Sequence, residues 1–278
     1  MDVHAKSSRP SDGQRALAEA IVRGDKPLGH DVVELDASVY IDPLRFEREQ
    51  RVLFDKVPLL LGPSALLPEN DTAIAHDGYG VPLIISRDRD GRIHVMANVC
   101  RHRGTRLIES REVVPAKRIV CPYHAWTYGT DGNLMAIPRA DCFPGVDKAD
   151  RPLIQFSSVE SGGFIWFSRD PDANFGHVFA LAEDMDPFGM SGLHLYRRKT
   201  HQVASNWKQV MDAFLESYHV QRLHAETIAP FFTDGIAAAD MIGPHQRAVV
   251  GRADYLSDID REDWAALRRV LTYTYAFF

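Results

Sequence analysis

Two short segments, each carrying one cysteine and one histidine, constrain this chain more than any other feature of its sequence. The first is the stretch CRH at residues 100–102, and the second is the stretch CPYH at residues 121–124, with eighteen residues between them. Thiolates and imidazoles are the side chains with which proteins hold zinc ions and iron–sulfur clusters. The candidate ligands are Cys100, His102, Cys121 and His124.

Two interpretations of these four residues differ in how the ligands are shared. A structural zinc ion takes all four ligands itself, and zinc fingers place both cysteines in one half of the motif and both histidines in the other. A 2Fe–2S cluster can take two thiolates on one iron and two imidazoles on the other. Here each half supplies one cysteine and one histidine. This arrangement favours the cluster, and zinc is kept as the alternative.

The composition is that of an ordinary globular protein with about two domains. The 278 residues are 45% hydrophobic and 25% charged, with a formal net charge of −6. This balance gives no reason to expect nucleic acid or a membrane as a partner, and no apolar run reaches the roughly 18 residues of a membrane span. Three cysteines in a chain of this length favour a reducing, cytoplasmic location, with Cys142 as a spare buried thiol.

Short apolar runs separated by turn residues predict a small antiparallel β domain at residues 58–168. The runs include TAIAH, RIHVMAN and GFIWF, and the stretches DRDG and TDGN join neighbouring runs as hairpin turns would. Residues 1–57 are predicted to form a tail and helices. One of these helices begins after Asp42, with Leu44 and Phe46 among its buried side chains.

Residues 169–278 form the third predicted region, in which helical and strand patterns are mixed. A strand at 194–205 and a final strand near the end of the chain are expected, together with helices at 206–223 and 261–269. This region contains the second chemically suggestive segment, NWKQVMDAFLESYHVQRLH, at residues 206–224.

The second segment combines two histidines with a nearby carboxylate. Glu216 and His219, three residues apart, share one face of a helix. His219 and His224 are five residues apart, which on an ideal helix is an angle of about 140°. A local widening or a break in the helix is therefore needed before both imidazoles can reach one metal ion.

Together the two segments resemble the large (alpha) subunit of the Rieske non-haem iron aromatic ring-hydroxylating oxygenases. CRHRG followed by CPYHAW resembles the Rieske motif, in which glycine is usual at the position of Ala125, and the residues around His219 resemble the iron-binding helix. The resemblance implies an α+β fold. An N-terminal antiparallel β Rieske domain would be followed by part of a helix-grip, START-like catalytic domain of helices and an antiparallel sheet.

The resemblance also implies two cofactors in each subunit. The four Cys and His residues would hold a Rieske 2Fe–2S cluster, and His219 and His224 would hold a mononuclear Fe(II) ion. Relatives supply the third iron ligand from an aspartate far beyond the second histidine. Only 54 residues follow His224, so this carboxylate is expected beyond residue 278 in a C-terminally truncated chain. Relatives often carry asparagine where this chain has Ala213.

Glu216 matches the catalytic carboxylate that, in the family, joins an iron histidine to a cluster histidine of the neighbouring subunit, here His124. The implied function is the terminal component of a multicomponent oxygenase. Such an enzyme uses O2 and electrons from NAD(P)H to cis-dihydroxylate, monohydroxylate or demethylate an aromatic or related small organic substrate. The electrons come through a flavin reductase and, in some systems, a ferredoxin. A homotrimer is implied, and a small beta subunit is compatible with the resemblance.

Two other functions are weighed against this one. An electron-transfer-only Rieske protein would explain the Cys and His pairs, but it would leave residues 170–278 without a role. A zinc-stapled binding module would contain no iron and would be colourless.

Overall fold

The computed structural model describes residues 9–25, 32–252 and 259–278. The chain divides into two compact units, each with its own core. The β unit comprises residues 49–175 and 193–197, and the mixed unit comprises 176–192, 198–278 and the described residues before 49. The domain boundaries named above stay predictions of the sequence.

Seven α-helices and thirteen strands lie in the described part of the chain. The helices are α1 (Asp12–Arg23), α2 (Ser38–Ile41), α3 (Pro43–Glu49), α4 (Gly176–Met185), α5 (Trp207–Phe214), α6 (Val220–Leu223) and α7 (Trp264–Val270). The strands are β1 (Leu59–Pro63), β2 (Thr72–His76), β3 (Leu83–Arg87), β4 (Ile93–Ala97), β5 (Val114–Pro115), β6 (Ile119–Val120), β7 (Thr127–Tyr128), β8 (Leu134–Ala136), β9 (Gln155–Ser161), β10 (Phe164–Ser168), β11 (Phe232–Ile242), β12 (His245–Arg252) and β13 (Leu271–Ala276). None of these helices is long and apolar enough to cross a membrane.

The β unit contains two antiparallel sheets. Seven strands pair in the order β1-β10-β9-β4-β3-β2-β5, and three pair in the order β6-β7-β8. The turn between β3 and β4 forms because the Asp88 carboxylate accepts the N–H groups of Asp90 and Arg92, both at 2.9 Å. The antiparallel β architecture predicted from the apolar runs is confirmed.

The mixed unit is built on the antiparallel sheet β11-β12-β13. Helices α1 and α7 contribute apolar side chains to its core. The buried members of this core are Leu17, Ala18, Ile21, Ala238, Val249, Trp264, Leu267, Val270 and Leu271. Helix α1 begins at Ser11, whose side chain accepts the Gln14 N–H while the Gln14 side chain accepts the Ser11 N–H. A mixed fold of helices and antiparallel sheet agrees with the predicted α+β class.

Three local predictions are wrong. Residues 194–205 form no strand. Leu44 is 72% exposed and Phe46 is 42% exposed, because the described residues of this chain do not cover that side of α3. Cys142 is exposed at the end of a single helical turn, Ala140–Cys142, and is not a buried thiol. In each case tertiary packing, which the local residue pattern does not contain, decided the outcome.

A buried charge network ties α1 and α4 to the sheet of the mixed unit. Arg247 donates to Asp184 at 2.6 Å and to Asp240 at 2.9 Å. Asp184 also accepts a hydrogen bond from Tyr275 at 2.6 Å, and it contacts Ser11. Arg247 and Asp184 are 6% and 4% exposed. A buried charge of this kind is stable only while its partner remains.

Replacing Arg247 with methionine should destabilise the mixed unit by about 3–5 kcal/mol, because the Asp184 charge would stay buried without its cation. Urea unfolding followed by circular dichroism measures the loss. Arg252→Met, on the same strand, is the matched control, because Arg252 has no ion-pair partner among the described residues. Equal effects of the two substitutions would contradict the role of the network.

Candidate metal centres

Cys100 lies in a tight loop that follows β4. Its N–H donates to the carbonyl of Thr105 at 2.8 Å, and its own carbonyl accepts the N–H of Gly104 at 2.9 Å. Gly104 has a left-handed backbone, with a φ of 73°. These two hydrogen bonds close the loop and fix the orientation of the Cys100 side chain.

The loop that follows β6 repeats this pattern. The Cys121 N–H donates to the Trp126 carbonyl, and the Cys121 carbonyl accepts the Ala125 N–H, both at 2.9 Å. Ala125 has a φ of 57°, so it occupies the left-handed position that Gly104 occupies in the first loop. That conformation is about 1 kcal/mol less favourable for an L-residue than the right-handed one. The backbone, rather than side-chain size, therefore explains why glycine suits this position.

The two loops bring all four candidate ligands together. Cys100 and Cys121 are each 2% exposed, and the ring centroids of His102 and His124 are 4.6 Å apart. The Nδ1 atoms of both histidines are buried and have no hydrogen-bond partner among the residues that the structure describes. Buried polar atoms almost always have a partner. Two orphaned imidazole nitrogens beside two buried thiols therefore fit a bound metal centre.

Packing and charge keep the His102 ring in the form that binds metal. Burial, followed by the nearby His124 and Arg103, lowers the pKa of His102, which favours its neutral ring. The His102 ring stacks on Trp126 with a centroid distance of 4.9 Å and an angle of 4°. The Tyr123 ring lies 3.8 Å from His124. These contacts fix the orientation of both imidazoles.

The arrangement fits a two-iron cluster better than a single zinc ion. Within the described ranges, no three His, Cys, Asp or Glu side chains converge where one metal ion could be held. Zinc needs such convergence, because a single ion takes all its ligands at about 2.0–2.3 Å. A 2Fe–2S cluster takes its four ligands as two separate pairs.

Tyr128 is a site residue that the sequence did not reveal. It is fully buried, and its Oη lies 3.3 Å from the Sγ of Cys100. The same oxygen accepts the Arg101 N–H at 3.0 Å, so its own proton is free to point at the sulfur. Burial and the contact with Cys100 raise the pKa of Tyr128, which keeps the phenol protonated. The only signal in the sequence was its place in the strand that follows the second Cys-His pair.

Replacing Tyr128 with phenylalanine should lower the midpoint potential of a cluster held by Cys100. Hydrogen bonds to cluster sulfurs raise the potential, and a difference of about 1 kcal/mol between oxidation states corresponds to roughly 40 mV for one electron. Redox titration measures the shift. Tyr79→Phe, which removes another tyrosine hydroxyl that donates to the Leu60 carbonyl at 2.7 Å, should leave the potential unchanged. A Tyr128→Phe potential equal to that of the unaltered protein would contradict this role.

The predicted helix at 206–223 is broken, and the break lies ahead of His219 rather than between the two histidines. It divides into α5 and α6, with residues 215–219 between them, and His219 directly precedes α6. Between the two histidines the chain keeps helical hydrogen bonds, with the Leu223 N–H on the His219 carbonyl at 2.8 Å. The departure from an ideal helix lies at His224, which ends α6 with a φ of −111° and a ψ of 27°. The ring centroids of His219 and His224 are 5.5 Å apart.

Glu216 lies in the break and contacts His219 twice. Its carboxylate accepts the His219 backbone N–H at 3.2 Å and contacts the ring Nδ1. Burial alone would raise the pKa of Glu216, but the hydrogen bonds from His219 outweigh it and hold the pKa below its usual value. An ionised carboxylate on Nδ1 leaves Nε2 of His219 free to bind a metal ion.

Both histidines line a cavity of about 490 Å³. Ala213, Phe214 and Phe232 line it too, whereas Phe231 is 60% exposed and does not. The complete lining is Ala213, Phe214, Glu216, Ser217, His219, Val220, Gln221, His224, Ile228, Phe232, Thr233, Asp234, Gly235, Ile236, Val250, Thr272, Thr274 and Tyr275.

Two family models match the chain, one in each of these regions. Residues 58–154 match the Rieske [2Fe-2S] domain, and residues 190–271 match the ring hydroxylating alpha subunit (catalytic domain). The two candidate metal centres therefore lie inside the two matched domains. This combination defines a protein with an iron–sulfur domain and a non-haem iron domain in one chain.

Two curated relatives are similar to this chain over about two thirds of its length. The chain is 31% identical over 191 residues to the glycine betaine monooxygenase oxygenase subunit of Pseudomonas aeruginosa, covering 68% of this chain and 44% of the relative. It is 30% identical over 207 residues to the anthranilate 1,2-dioxygenase large subunit of Acinetobacter baylyi, covering 69% and 43%. The chain thus spans a little under half the length of these relatives.

The fold agrees with solved structures as well. A crystal structure of the quaternary ammonium Rieske monooxygenase CntA superposes with a TM-score of 0.73 at 24% identity, covering 80% of this chain and 62% of that one. This chain belongs to the family of Rieske non-haem iron ring-hydroxylating oxygenases, large (alpha) subunit. In that family the Rieske domain binds a 2Fe–2S cluster and the catalytic domain binds a mononuclear iron.

Proposed function

We propose that this chain acts in the terminal oxygenase of a multicomponent Rieske oxygenase. The observation that carries the proposal is the pairing of His219 and His224, with Glu216 on the His219 ring, at a cavity in the catalytic domain. The reaction is the hydroxylation or demethylation of a small organic substrate with O2. An electron-transfer-only protein would need neither this cavity nor the histidines beside it.

The proposed cluster ligands are Cys100 and Cys121 on one iron and His102 and His124 on the other. Their burial and the orphaned Nδ1 atoms support this assignment. Two neutral imidazoles in place of thiolates give such a centre a higher reduction potential than a cluster with four cysteines. The chain would therefore receive single electrons readily from a flavin or ferredoxin donor.

The proposed iron ligands are His219 and His224, with a carboxylate as the third. When bound, Fe(II) on two histidines and one carboxylate keeps coordination positions open for oxygen and substrate. Glu216 would orient His219 through Nδ1, and the apolar side chains of the cavity would exclude water. The third carboxylate stays a prediction of the sequence.

The proposed partners follow from the position of Glu216. If the Glu216 carboxylate also accepts a hydrogen bond from His124 of a neighbouring subunit, it completes a short polar route between the proposed cluster and the proposed iron. Such a route requires an oligomer, and we propose the homotrimer implied by the resemblance. An NAD(P)H-dependent flavin reductase, with or without a ferredoxin, would supply the electrons.

Iron analysis together with oxygen uptake tests this function. The purified protein should contain about three irons per chain and consume O2 when NAD(P)H, a flavin reductase and a substrate are present. His224→Ala should remove about one iron and stop oxygen uptake while the cluster spectrum stays unchanged. His201→Ala is the control, because His201 is exposed and lies outside the cavity. About two irons in the unaltered protein, with no effect of His224→Ala, would instead favour an electron carrier.

A further inference from the structure

The two faces of the sheet β11-β12-β13 are covered differently. One face packs against α1 and α7 in the core of the mixed unit. The other face lies beneath α5, but none of the eight residues of α5 is buried by the described part of the chain. Packing therefore contributes little to holding this helix, although the segment that follows it carries Glu216 and His219.

Small side chains leave space between α5 and this face of the sheet. Ala239 on β11 lies opposite Ala248 on β12, beyond a bulge in β11 between Phe232 and Ala237. Both alanines line a cavity of about 110 Å³ that Phe214, at the end of α5, also lines. A larger cavity, of about 420 Å³, lies along the preceding turns of the helix. A helix above unfilled space gains few van der Waals contacts that could fix its position.

Hydrogen bonds at its two ends hold α5 instead. At the first end, the Asn206 side chain caps the helix, and its Nδ2 donates to the Tyr40 carbonyl at 2.9 Å. At the other end, the Leu215 N–H donates to the Met211 carbonyl at 3.1 Å. Carbonyls in the last turn of a helix need partners from outside the helix. The Leu215 carbonyl accepts a hydrogen bond from Nε2 of Gln246, on β12, at 3.0 Å.

The Gln246 hydrogen bond acts on the segment that carries Glu216. In an unbroken helix the Leu215 carbonyl would accept the His219 N–H, but that N–H donates to the Glu216 carboxylate at 3.2 Å. Among the described residues, no other hydrogen bond joins residues 215–219 to a part of the chain outside α5 and α6. Gln246 thus fixes the peptide group from which the Glu216 side chain starts.

We propose that Gln246 is a positioning residue for Glu216. Through the Leu215 carbonyl it holds residues 215–219 against β12, where packing does not, and so keeps the Glu216 carboxylate on the His219 ring. That this placement serves electron transfer rests on the proposed function; that Gln246 holds the segment does not.

Two substitutions separate the hydrogen bond from the shape of the side chain. Gln246→Met keeps a side chain of similar length but removes the N–H donor. Gln246→Lys restores a donor, and the cavities beside the residue admit the longer side chain. Gln202→Met is the matched control, because Gln202 is exposed and lines none of the three cavities.

Hydrogen exchange of the purified protein, followed by mass spectrometry, tests the positioning. Because the net contribution of an ordinary hydrogen bond corresponds to about a fivefold change in an equilibrium constant, amide exchange at 215–220 should be about fivefold faster in Gln246→Met. Exchange at α7, in the same unit, should be unchanged. Gln246→Lys should restore most of the protection, and Gln202→Met should show no effect. Unchanged exchange at 215–220 in Gln246→Met, or equally faster exchange throughout the mixed unit, would overturn the proposal.

Reoxidation of the reduced cluster by O2 connects the positioning to the proposed function. In a single turnover, reoxidation should be about fivefold slower in Gln246→Met, and Gln246→Lys should recover most of the rate. Faster exchange without slower reoxidation, in a protein that consumes O2, would overturn the role of Gln246 in the reaction. If the unaltered protein consumes no O2 with any substrate, the proposed function fails, and hydrogen exchange still decides whether Gln246 holds the segment.

Discussion

Replacing Glu216 with glutamine is expected to reduce coupled oxygen uptake by on the order of 100-fold while the cluster spectrum and the iron content stay unchanged. Glutamine keeps the length of the side chain but removes the negative charge that His219 Nδ1 contacts. It can also accept fewer hydrogen bonds than a carboxylate, which has two acceptor oxygens. The proposed bridge from His219 to His124 of a neighbouring subunit would therefore be weakened at both ends.

The appropriate measurement compares steady-state turnover with the rate at which the reduced cluster is reoxidised in a single turnover. A bridging role predicts that reoxidation of the cluster slows together with turnover. A purely structural role predicts no selective slowing of either the reoxidation or the turnover. Glu216→Asp should recover part of the rate, because it restores the charge. Glu226→Gln provides the control for loss of an exposed charge nearby. Unchanged reoxidation in Glu216→Gln would contradict the bridge.

Replacing Cys121 with serine is expected to remove the visible absorbance of the cluster and about two irons per chain. Serine has nearly the same shape as cysteine but is a poor ligand for iron. The effect should extend to stability, because Cys121 packs in one core with Trp126 and Tyr128 and metal binding contributes free energy to folding. A lower melting temperature of the β unit should therefore accompany the loss of colour.

The chain contains its own control for this substitution. Cys142 is exposed and lies outside both ligand loops, so Cys142→Ser should keep the full spectrum, iron content and melting temperature. If Cys121→Ser retained both irons, Cys121 could not be a ligand. If both substitutions removed the cluster, general damage to the protein would explain the result better than loss of a ligand.

Local features of the fold were predictable where the signal lies within a few residues. The hairpin at Asp88 was predicted because its turn bonds are made inside the turn. The strand at 194–205 and the burial of Leu44 and Phe46 were predicted wrongly. Both depend on which other segments of the chain pack against them, and no local pattern contains that information.

The sequence by itself determined the chemistry of this protein. The types and spacing of Cys100, His102, Cys121 and His124 are sufficient to indicate a mixed thiolate and imidazole centre, because few side chains bind iron. The spacing of His219 and His224 also predicted a departure from ideal helix geometry, but only the structure placed the break ahead of His219 and ended the helix at His224.

Only the tertiary structure decided how those residues are supported. It placed the Tyr128 hydroxyl on Cys100, gave Ala125 a left-handed backbone, and brought Asp234 to the cavity wall through the bulge in β11. The contact of Tyr128 with Cys100 and the bulge in β11 depend on contacts or pairings between distant parts of the chain. The free energy of such contacts is set by packing and register, which residue types and local spacing do not specify.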